Sequence, residues 1–106
     1  MPAKLTAPLR GVITAMITPL LEPDTLDVAG LEKLIDNLIN GGVNGLFILG
    51  TTGEAPALSY KTRREVIQQT CRHNADRLPV IVGITDTSLT ESVNLAKVSA
   101  LKHRPV

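Results

Sequence analysis

The chain has 106 residues and a formal net charge of +1, and 20% of its residues are charged. This length allows one small domain, and the charge gives no indication of a nucleic-acid or membrane-surface partner. The lone cysteine, Cys71, excludes an internal disulfide, and no apolar run is long enough for a signal peptide or a membrane span, so we expect a cytoplasmic protein.

The first predicted strand covers residues 11–17, which are mostly β-branched or apolar and lead into Thr18-Pro19. Residues 20–26 contain a Pro-Asp pair and are typical of a loop.

The first predicted helix lies near residues 27–40, with Asp27 as its capping residue. Gly41-Gly42 is a usual helix end. Apolar side chains recur on one face of this helix, which indicates an amphipathic segment packed on a core: Val28, Leu31, Leu34, Ile35, Leu38 and Ile39.

The second predicted strand lies near residues 45–49 and leads into the sequence Gly50-Thr51-Thr52-Gly53-Glu54. Ser59 is placed to cap a second helix near residues 59–75. Val66, Ile67, Thr70 and Cys71 are expected on its inner face, with Cys71 an inert core thiol, and Arg63, Arg64 and Gln68 are expected in solvent.

The third predicted strand, near residues 79–83, has the continuous apolar run of a buried parallel strand. Ser88 and Glu91 form a capping-box pattern that opens a third helix near residues 88–102. Its predicted buried stripe consists of Leu89, Val93, Ala96 and Ala100.

The strands recur at a fixed distance, since Val12, Leu46 and Val80 are each 34 residues apart. Strand and helix alternate at this pitch, which predicts βαβ units, right-handed crossovers and a parallel sheet. A fourth strand would be due near residue 114, so we expect three parallel strands with two bare edges and one uncovered face. Two architectures fit such a chain. It is either roughly the first 40% of a (β/α)8 TIM barrel of about 250 residues or a small doubly wound sheet.

Residues 50–54, hereafter the threonine loop, follow a buried strand where parallel sheets keep their binding sites. The two glycines allow a sharp turn and close approach of a ligand. Thr51 and Thr52 offer hydroxyls and backbone N–H groups for a small anion such as a carboxylate. Glu54 is expected to fix the loop, and Thr18, Thr85 and Asp86 stand at strand ends facing the same region, Asp86 as a turn or cap residue.

Other candidate residues give weaker signals. His73 and His103 lack metal-ligand spacing, so no metal site is expected, and no glycine-rich phosphate-binding motif is present for a nucleotide. Arg63-Arg64 is expected to be a solvated helix face. Tyr60 begins a helix rather than ending a strand, so we expect no role for it in the site.

The threonine loop after an apolar strand resembles the signature loop of the dihydrodipicolinate synthase/N-acetylneuraminate lyase family. Further similar segments are Thr18-Pro19, the first helix with Gly41-Gly42, and residues 79–83. Residues 83–88 with 91–96 also look like the third βα unit of that family, so the resemblance covers about residues 11–100. It favours the TIM barrel, of which this chain would supply the first three βα units.

The resemblance implies a class I lyase or aldolase, usually a homotetramer, that binds pyruvate or another 2-keto acid to a lysine as a Schiff base. It implies no metal and no organic cofactor. By the same resemblance, Thr51 is catalytic, as part of a hydroxyl relay with tyrosines. Thr51, Thr52 and Gly53 would bind the substrate, with its carboxylate held partly by backbone N–H groups.

The sequence departs from the family pattern at residues 101–106, where a tyrosine-bearing strand would follow. We expect the relay tyrosine and the Schiff-base lysine to lie on later strands that this chain lacks. The lysines present fall on helices or near the two ends: Lys4, Lys33, Lys61, Lys97 and Lys102. The alternative hypothesis is a non-catalytic truncated fragment that acts at most as a folding or assembly unit.

Overall fold

The computed structural model describes residues 11–86, 88–100 and 104–105 of the chain. The helices are α1 (Val28–Asn40), α2 (Tyr60–Asn74) and α3 (Leu89–Ala100), and a short 3₁₀ helix covers Ala55–Ala57. The strands are β1 (Ile13–Ala15), β2 (Leu20–Glu22), β3 (Thr25–Leu26), β4 (Gly45–Ile48), β5 (Val80–Val82) and β6 (Arg104–Pro105).

A parallel sheet with the strand order β1-β4-β5-β6 forms the centre of the fold. Alternate residues of its strands are buried in one core with residues of the three helices. This core includes Leu46, Ile48, Val80 and Val82 from the sheet and Leu31, Ile35, Val66, Ile67 and Leu95 from the helices.

The opposite sheet face carries Ala15, Phe47 and Ile81, which share one level of the sheet and are not fully buried. The helices in the described ranges therefore cover one face of the sheet, as in a barrel wall and unlike a doubly wound sheet. None of the helices in the described ranges has the length and apolar content needed to cross a lipid bilayer.

The segment 20–26 is an antiparallel hairpin of β2 and β3 rather than the expected loop. Asp24 adopts a left-handed turn conformation at φ 59°, and Leu26 is buried in the core. The Asp24 carboxylate accepts a hydrogen bond from the Ser59 backbone N–H at 2.7 Å. Two contacts hold the hairpin in place: Leu26 packs in the core, and the hydrogen bond from Ser59 to Asp24 joins the hairpin to the start of α2.

The capping residues of α1 and α2 act as their sequences predict. Asp27 Oδ1 accepts from the backbone N–H of Gly30 at 2.9 Å, and Ser59 Oγ accepts from that of Thr62 at 3.1 Å. After α1 the chain turns at Gly42, whose φ of 88° favours glycine.

The expected solvent position of Arg63 is wrong, because its residue surface is only 6% exposed. Val66, Ile67 and Thr70 are buried as predicted, and Cys71 is half-buried against the core. Arg63 lies one helical turn before Val66 and Ile67, so it shares their inward face. The reason that a guanidinium lies there is its pairing with a buried carboxylate, described below.

The predicted buried stripe of α3 is also wrong. Leu89 is 79% exposed and Val93 is 43% exposed, whereas Leu95 is 1% exposed and Val98 packs against the core. Apolar residues occur on more than one side of α3, and packing against the core selects the side that carries Leu95 and Val98. The side chain of Ala100 lies outside the described residues.

A fourth parallel strand, β6, is present about ten residues before the position near residue 114 that the spacing predicted. It pairs with β5 through Ile81↔Arg104 and Val82↔Pro105. Three differences shorten this unit. Six residues join β5 to α3, whereas eleven, including the 3₁₀ helix, join β4 to α2. In addition, α3 has 12 residues and α2 has 15, and three residues precede β6 where five precede β5. The spacing of 34 residues therefore did not extend to the next strand.

Candidate functional site

The threonine loop lies directly beyond the carboxyl end of β4. Its backbone is bounded by two non-glycine residues in left-handed conformations, Leu49 at φ 59° and Glu54 at φ 57°. The Glu54 N–H donates to the carbonyl oxygen of Thr51 at 3.0 Å, which closes the loop into a tight turn. Thr51 and Thr52 are exposed in this turn.

A cavity of about 390 Å³, the site cavity, lies over the carboxyl ends of β1, β4 and β5. The threonine loop forms one of its walls, and apolar side chains of the open sheet face contribute to the lining. The lining residues are Ala15, Phe47, Leu49, Gly50, Thr51, Thr52, Ala55, Pro56, Gly83 and Thr85.

The polar groups of the site cavity come from its rim. Thr51, Thr52 and Thr85 bring hydroxyls to it, whereas Ala15 and Phe47 bring only carbon. A threonine hydroxyl can both donate and accept a hydrogen bond. This arrangement suits a small molecule with one polar or anionic end and an apolar body.

The other residues predicted near the site occupy different positions. Gly53 is buried and is not among the lining residues of the site cavity. Thr18 is 7% exposed and donates to the Gly53 carbonyl oxygen at 2.6 Å, so it supports the loop from behind. Glu54 is exposed at the end of the loop, and Thr85 is exposed at the rim. The individual roles of Thr51, Thr52 and Gly53 stay predictions.

A second cavity of about 340 Å³, the arginine cavity, is lined by Pro56, Tyr60, Arg63, Thr85 and Asp86. Arg63 Nη1 donates to Asp86 Oδ2 at 2.8 Å, and Arg63 Nε donates to the carbonyl of Leu58 at 3.1 Å. The guanidinium also lies 5.1 Å from the ring centroid of Tyr60. Arg63 therefore joins two segments: its bond to Leu58 holds the segment after the threonine loop, and its ion pair with Asp86 holds the segment after β5.

The electrostatics of this cluster favour an ionised Asp86. The backbone N–H of Ser88 is the main cause that holds the pKa of Asp86 below its usual value, with Arg63 and Tyr60 as further donors. Partial burial, and then the hydrogen bond from its hydroxyl to Asp86 at 3.1 Å, raises the pKa of Tyr60. Asp86 acts as the expected turn and cap residue and also as the counterion of Arg63.

The sequence reasoning missed Arg63, although one signal pointed to it. Its spacing from Val66, Ile67 and Thr70 places it on the buried face of α2. The charge of Arg63 favoured a position in solvent instead, because an arginine is seldom fully buried without a partner. The partner, Asp86, lies 23 residues further along the chain and on another element.

No candidate amine for covalent chemistry lines the site cavity among the described residues. Lys33, Lys61 and Lys97 all lie on helices and are exposed. Lys4 and Lys102 lie outside the described residues, as does His103. Within the part of the chain that the structure describes, no three His, Cys, Asp or Glu side chains are grouped to hold a metal ion.

Comparison with known proteins identifies the relatives of this chain. The model of the Dihydrodipicolinate synthetase family matches residues 8–102. The chain belongs to this family. The 4-hydroxy-tetrahydrodipicolinate synthase of Herminiimonas arsenicoxydans is 39% identical over 89 residues, which are 84% of this chain and 30% of that protein. The chain thus spans about 30% of the length of this curated relative.

Solved structures agree with the fold described above. Dihydrodipicolinate synthase from Bacteroides thetaiotaomicron is similar at 55% identity and a TM-score of 0.91, over 94% of this chain and 34% of that one. YagE, a prophage protein of the same family from E. coli K12 in complex with pyruvate, is similar at 32% identity and a TM-score of 0.87, over 92% and 33%. The predicted family and the predicted α/β fold of the first part of a (β/α)8 barrel are confirmed.

Proposed function

We propose that this chain is the N-terminal part of a Schiff-base lyase or aldolase that binds pyruvate or the pyruvoyl end of another 2-keto acid. The observation that carries the proposal is the position of Thr51 and Thr52 in a cavity over the carboxyl ends of parallel strands. The similarity to YagE, whose structure holds pyruvate, supports a small keto acid as the ligand.

In this proposal, the threonine loop receives the carboxylate of the keto acid. Thr52 and backbone N–H groups of the threonine loop hold the carboxylate, and the Thr51 hydroxyl contacts the substrate and relays a proton during the reaction. Gly53 suits this arrangement through its lack of a side chain, since a Cβ there would lie 3.1 Å from Met16 O and 3.2 Å from Leu49 N. The methyl end of pyruvate would face Ala15 and Phe47.

The Schiff base requires a lysine amine that is unprotonated and enclosed in an apolar site. Lys33, Lys61 and Lys97 are exposed on helices, outside the site cavity. Lys4 and Lys102 stand near the two ends of the sequence, outside the described residues. We propose that the reacting lysine belongs to a part of the enzyme beyond these 106 residues. The remaining proposed properties are a cytoplasmic location, a homotetramer of the complete enzyme, and chemistry without a metal or an organic cofactor.

A chimeric chain tests the proposal. Residues 11–100 of this chain replace the segment that they match in the Bacteroides thetaiotaomicron protein, which is 55% identical. The chimera and the 106-residue chain are each incubated with pyruvate and borohydride, which reduces a Schiff base to a stable amine. Intact mass measurement and peptide mapping then locate any adduct.

We expect one adduct per chimeric chain, on a lysine outside residues 11–100, and no site-specific adduct on the 106-residue chain. A Lys61→Arg chimera is the matched control and should be trapped equally well. A folded chimera that traps no pyruvate would refute the proposed binding role of the threonine loop. Stoichiometric trapping on one of the five lysines of this chain would refute the assignment of the amine.

A second candidate function is that of a folding or assembly unit without catalysis. The observation in its favour is the incompletely buried sheet face at Ala15, Phe47 and Ile81, which another polypeptide segment can cover. The trapping experiment separates the two functions, because an assembly unit alone predicts that the chimera folds and forms no pyruvate adduct.

A further inference from the structure

The threonine loop keeps an unfavourable backbone conformation at both of its ends. Leu49 and Glu54 adopt φ values of 59° and 57°, a region that side-chain-bearing residues rarely occupy. Such conformations persist only where the surrounding structure holds them. Contacts from both neighbouring strands hold this loop.

One contact comes from the end of β1. Thr18 Oγ1 donates to the carbonyl oxygen of Gly53 at 2.6 Å, and this bond is buried. It joins positions 35 residues apart in sequence. The two backbones also pack closely beside this bond, because a Cβ at Gly53 would lie 3.1 Å from Met16 O. The Gly53 peptide is thus fixed against the strand that precedes Thr18.

A second constraint comes from the end of β5. A side chain at Gly83 would collide with the carbonyl of Leu49, so the glycine permits the two strand ends to approach closely. The Gly83 N–H also donates to the carbonyl oxygen of Ile48 at 2.9 Å. The loop is therefore held from both neighbouring strands, and among the described residues Thr18 is the one that holds it through a side-chain hydrogen bond.

We propose that Thr18 is a positioning residue, whose buried hydroxyl holds the threonine loop in the shape that presents Thr51 and Thr52 to the site cavity. Without this donor, the Gly53 carbonyl would lose its buried hydrogen bond, and the strained backbone between Leu49 and Glu54 would relax. Thr18 itself does not line the site cavity and touches no reacting group. The catalytic consequence of this inference rests on the proposed function, whereas its structural consequence does not.

Hydrogen exchange measured by mass spectrometry tests the structural consequence in the chimera. In Thr18→Val, amides of residues 49–55 should exchange about tenfold faster, because one buried hydrogen bond is lost. Thr18→Ser keeps the hydroxyl and should restore protection. Thr70→Val is the matched control, since Thr70 is also a buried threonine but its hydroxyl has no partner among the described residues.

The Thr18→Ser and Thr18→Ala pair decides the case if valine disturbs folding, because these two variants differ by one hydroxyl. Equal protection of residues 49–55 in both would overturn the inference, even if the chimera binds no pyruvate. Where the parent chimera is active, Thr18→Val should lower kcat more than it raises KM for pyruvate, and Thr18→Ser should recover kcat. Loosened exchange with unchanged kcat and KM would refute the positioning role and leave the proposed function intact.

Discussion

The hydroxyl of Thr51 has two proposed roles: it binds the keto acid, and it relays a proton during the reaction. Thr51→Val keeps the shape of the side chain and removes its donor and acceptor. In an active chimera, kcat should fall by about 10²–10³ if this hydroxyl relays a proton or donates in the transition state. Steady-state kinetics with pyruvate measures this loss, and KM should change less than kcat.

Thr52→Val provides the comparison for that experiment, because Thr52 shares the same loop and the same exposure. We expect it to raise KM for the keto acid more than it lowers kcat, as the loss of a carboxylate contact would. A Thr51→Val chimera with the turnover number of its parent would remove Thr51 from the mechanism.

At the scale of single residues, the sequence predicted those functional groups that are neighbours along the chain. The threonine loop was predictable because two glycines, two hydroxyls and a preceding apolar strand lie next to one another in the chain. The inward turn of Arg63 and the buried bond of Thr18 were not predicted. Both depend on partners on other elements, namely Asp86 and Gly53, that become neighbours only when the strands pair.

At the scale of elements, a charged cluster joins α1 to the end of α2. His73 Nε2 lies 2.9 Å from Asp36 Oδ1, and Arg77 Nη2 lies 3.2 Å from the same oxygen. Glu32 lies 3.4 Å from the other ring nitrogen of His73. The hydrogen bond from the His73 ring is the main cause that lowers the pKa of Asp36, and the bond from Arg77 adds to it.

This cluster predicts acid sensitivity of the α1–α2 contact. Because the pKa of Asp36 is lower in the folded state than its ordinary value of 3.8, its ionisation stabilises the fold above that pH. The contribution is lost as the pH falls below 3.8 and through the folded pKa. Asp36→Asn in the chimera should therefore flatten the fall in stability below pH 3.8, measured as urea midpoints from pH 5 to pH 2.

Glu22→Gln is the control for this measurement, because Glu22 is an exposed carboxylate on β2, away from the cluster. It should leave the acid limb as steep as in the parent. An Asp36→Asn chimera with the same acid limb as the parent would show that the cluster does not contribute to acid sensitivity.

The order and type of the main elements followed from patterns that sequence carries directly. Apolar runs marked β4 and β5, and the capping residues Asp27 and Ser59 marked the starts of two helices. The face of α3 did not follow, because apolar residues occur on more than one side of this helix and the sheet selects among them. The β2–β3 hairpin was missed because a two-residue strand has too few positions to show an alternation.

At the scale of the whole molecule, one face of the central sheet carries apolar side chains that are not fully buried. Ala15, Phe47 and Ile81 are not fully buried, and Val12 and Ile17 at the ends of β1 are 61% and 58% exposed. In the described residues, β1 and β6 each pair on one side only. Parallel sheets are normally covered on both faces, and unpaired edges favour association.

The 106-residue chain expressed alone should therefore be molten, oligomeric or aggregated, whereas the chimera should be a folded assembly. Size-exclusion chromatography with light scattering, dye binding to exposed apolar surface and thermal melting measure this difference. The physical reason is that no layer formed by the described residues covers the apolar side chains of the open face, so association or loose packing is the lower free-energy state. A monodisperse monomer with a sharp cooperative melt and no dye binding would contradict this expectation. Such a result would mean that the four short strands and three helices bury enough surface to be an independent domain, and that the open face is tolerated in water.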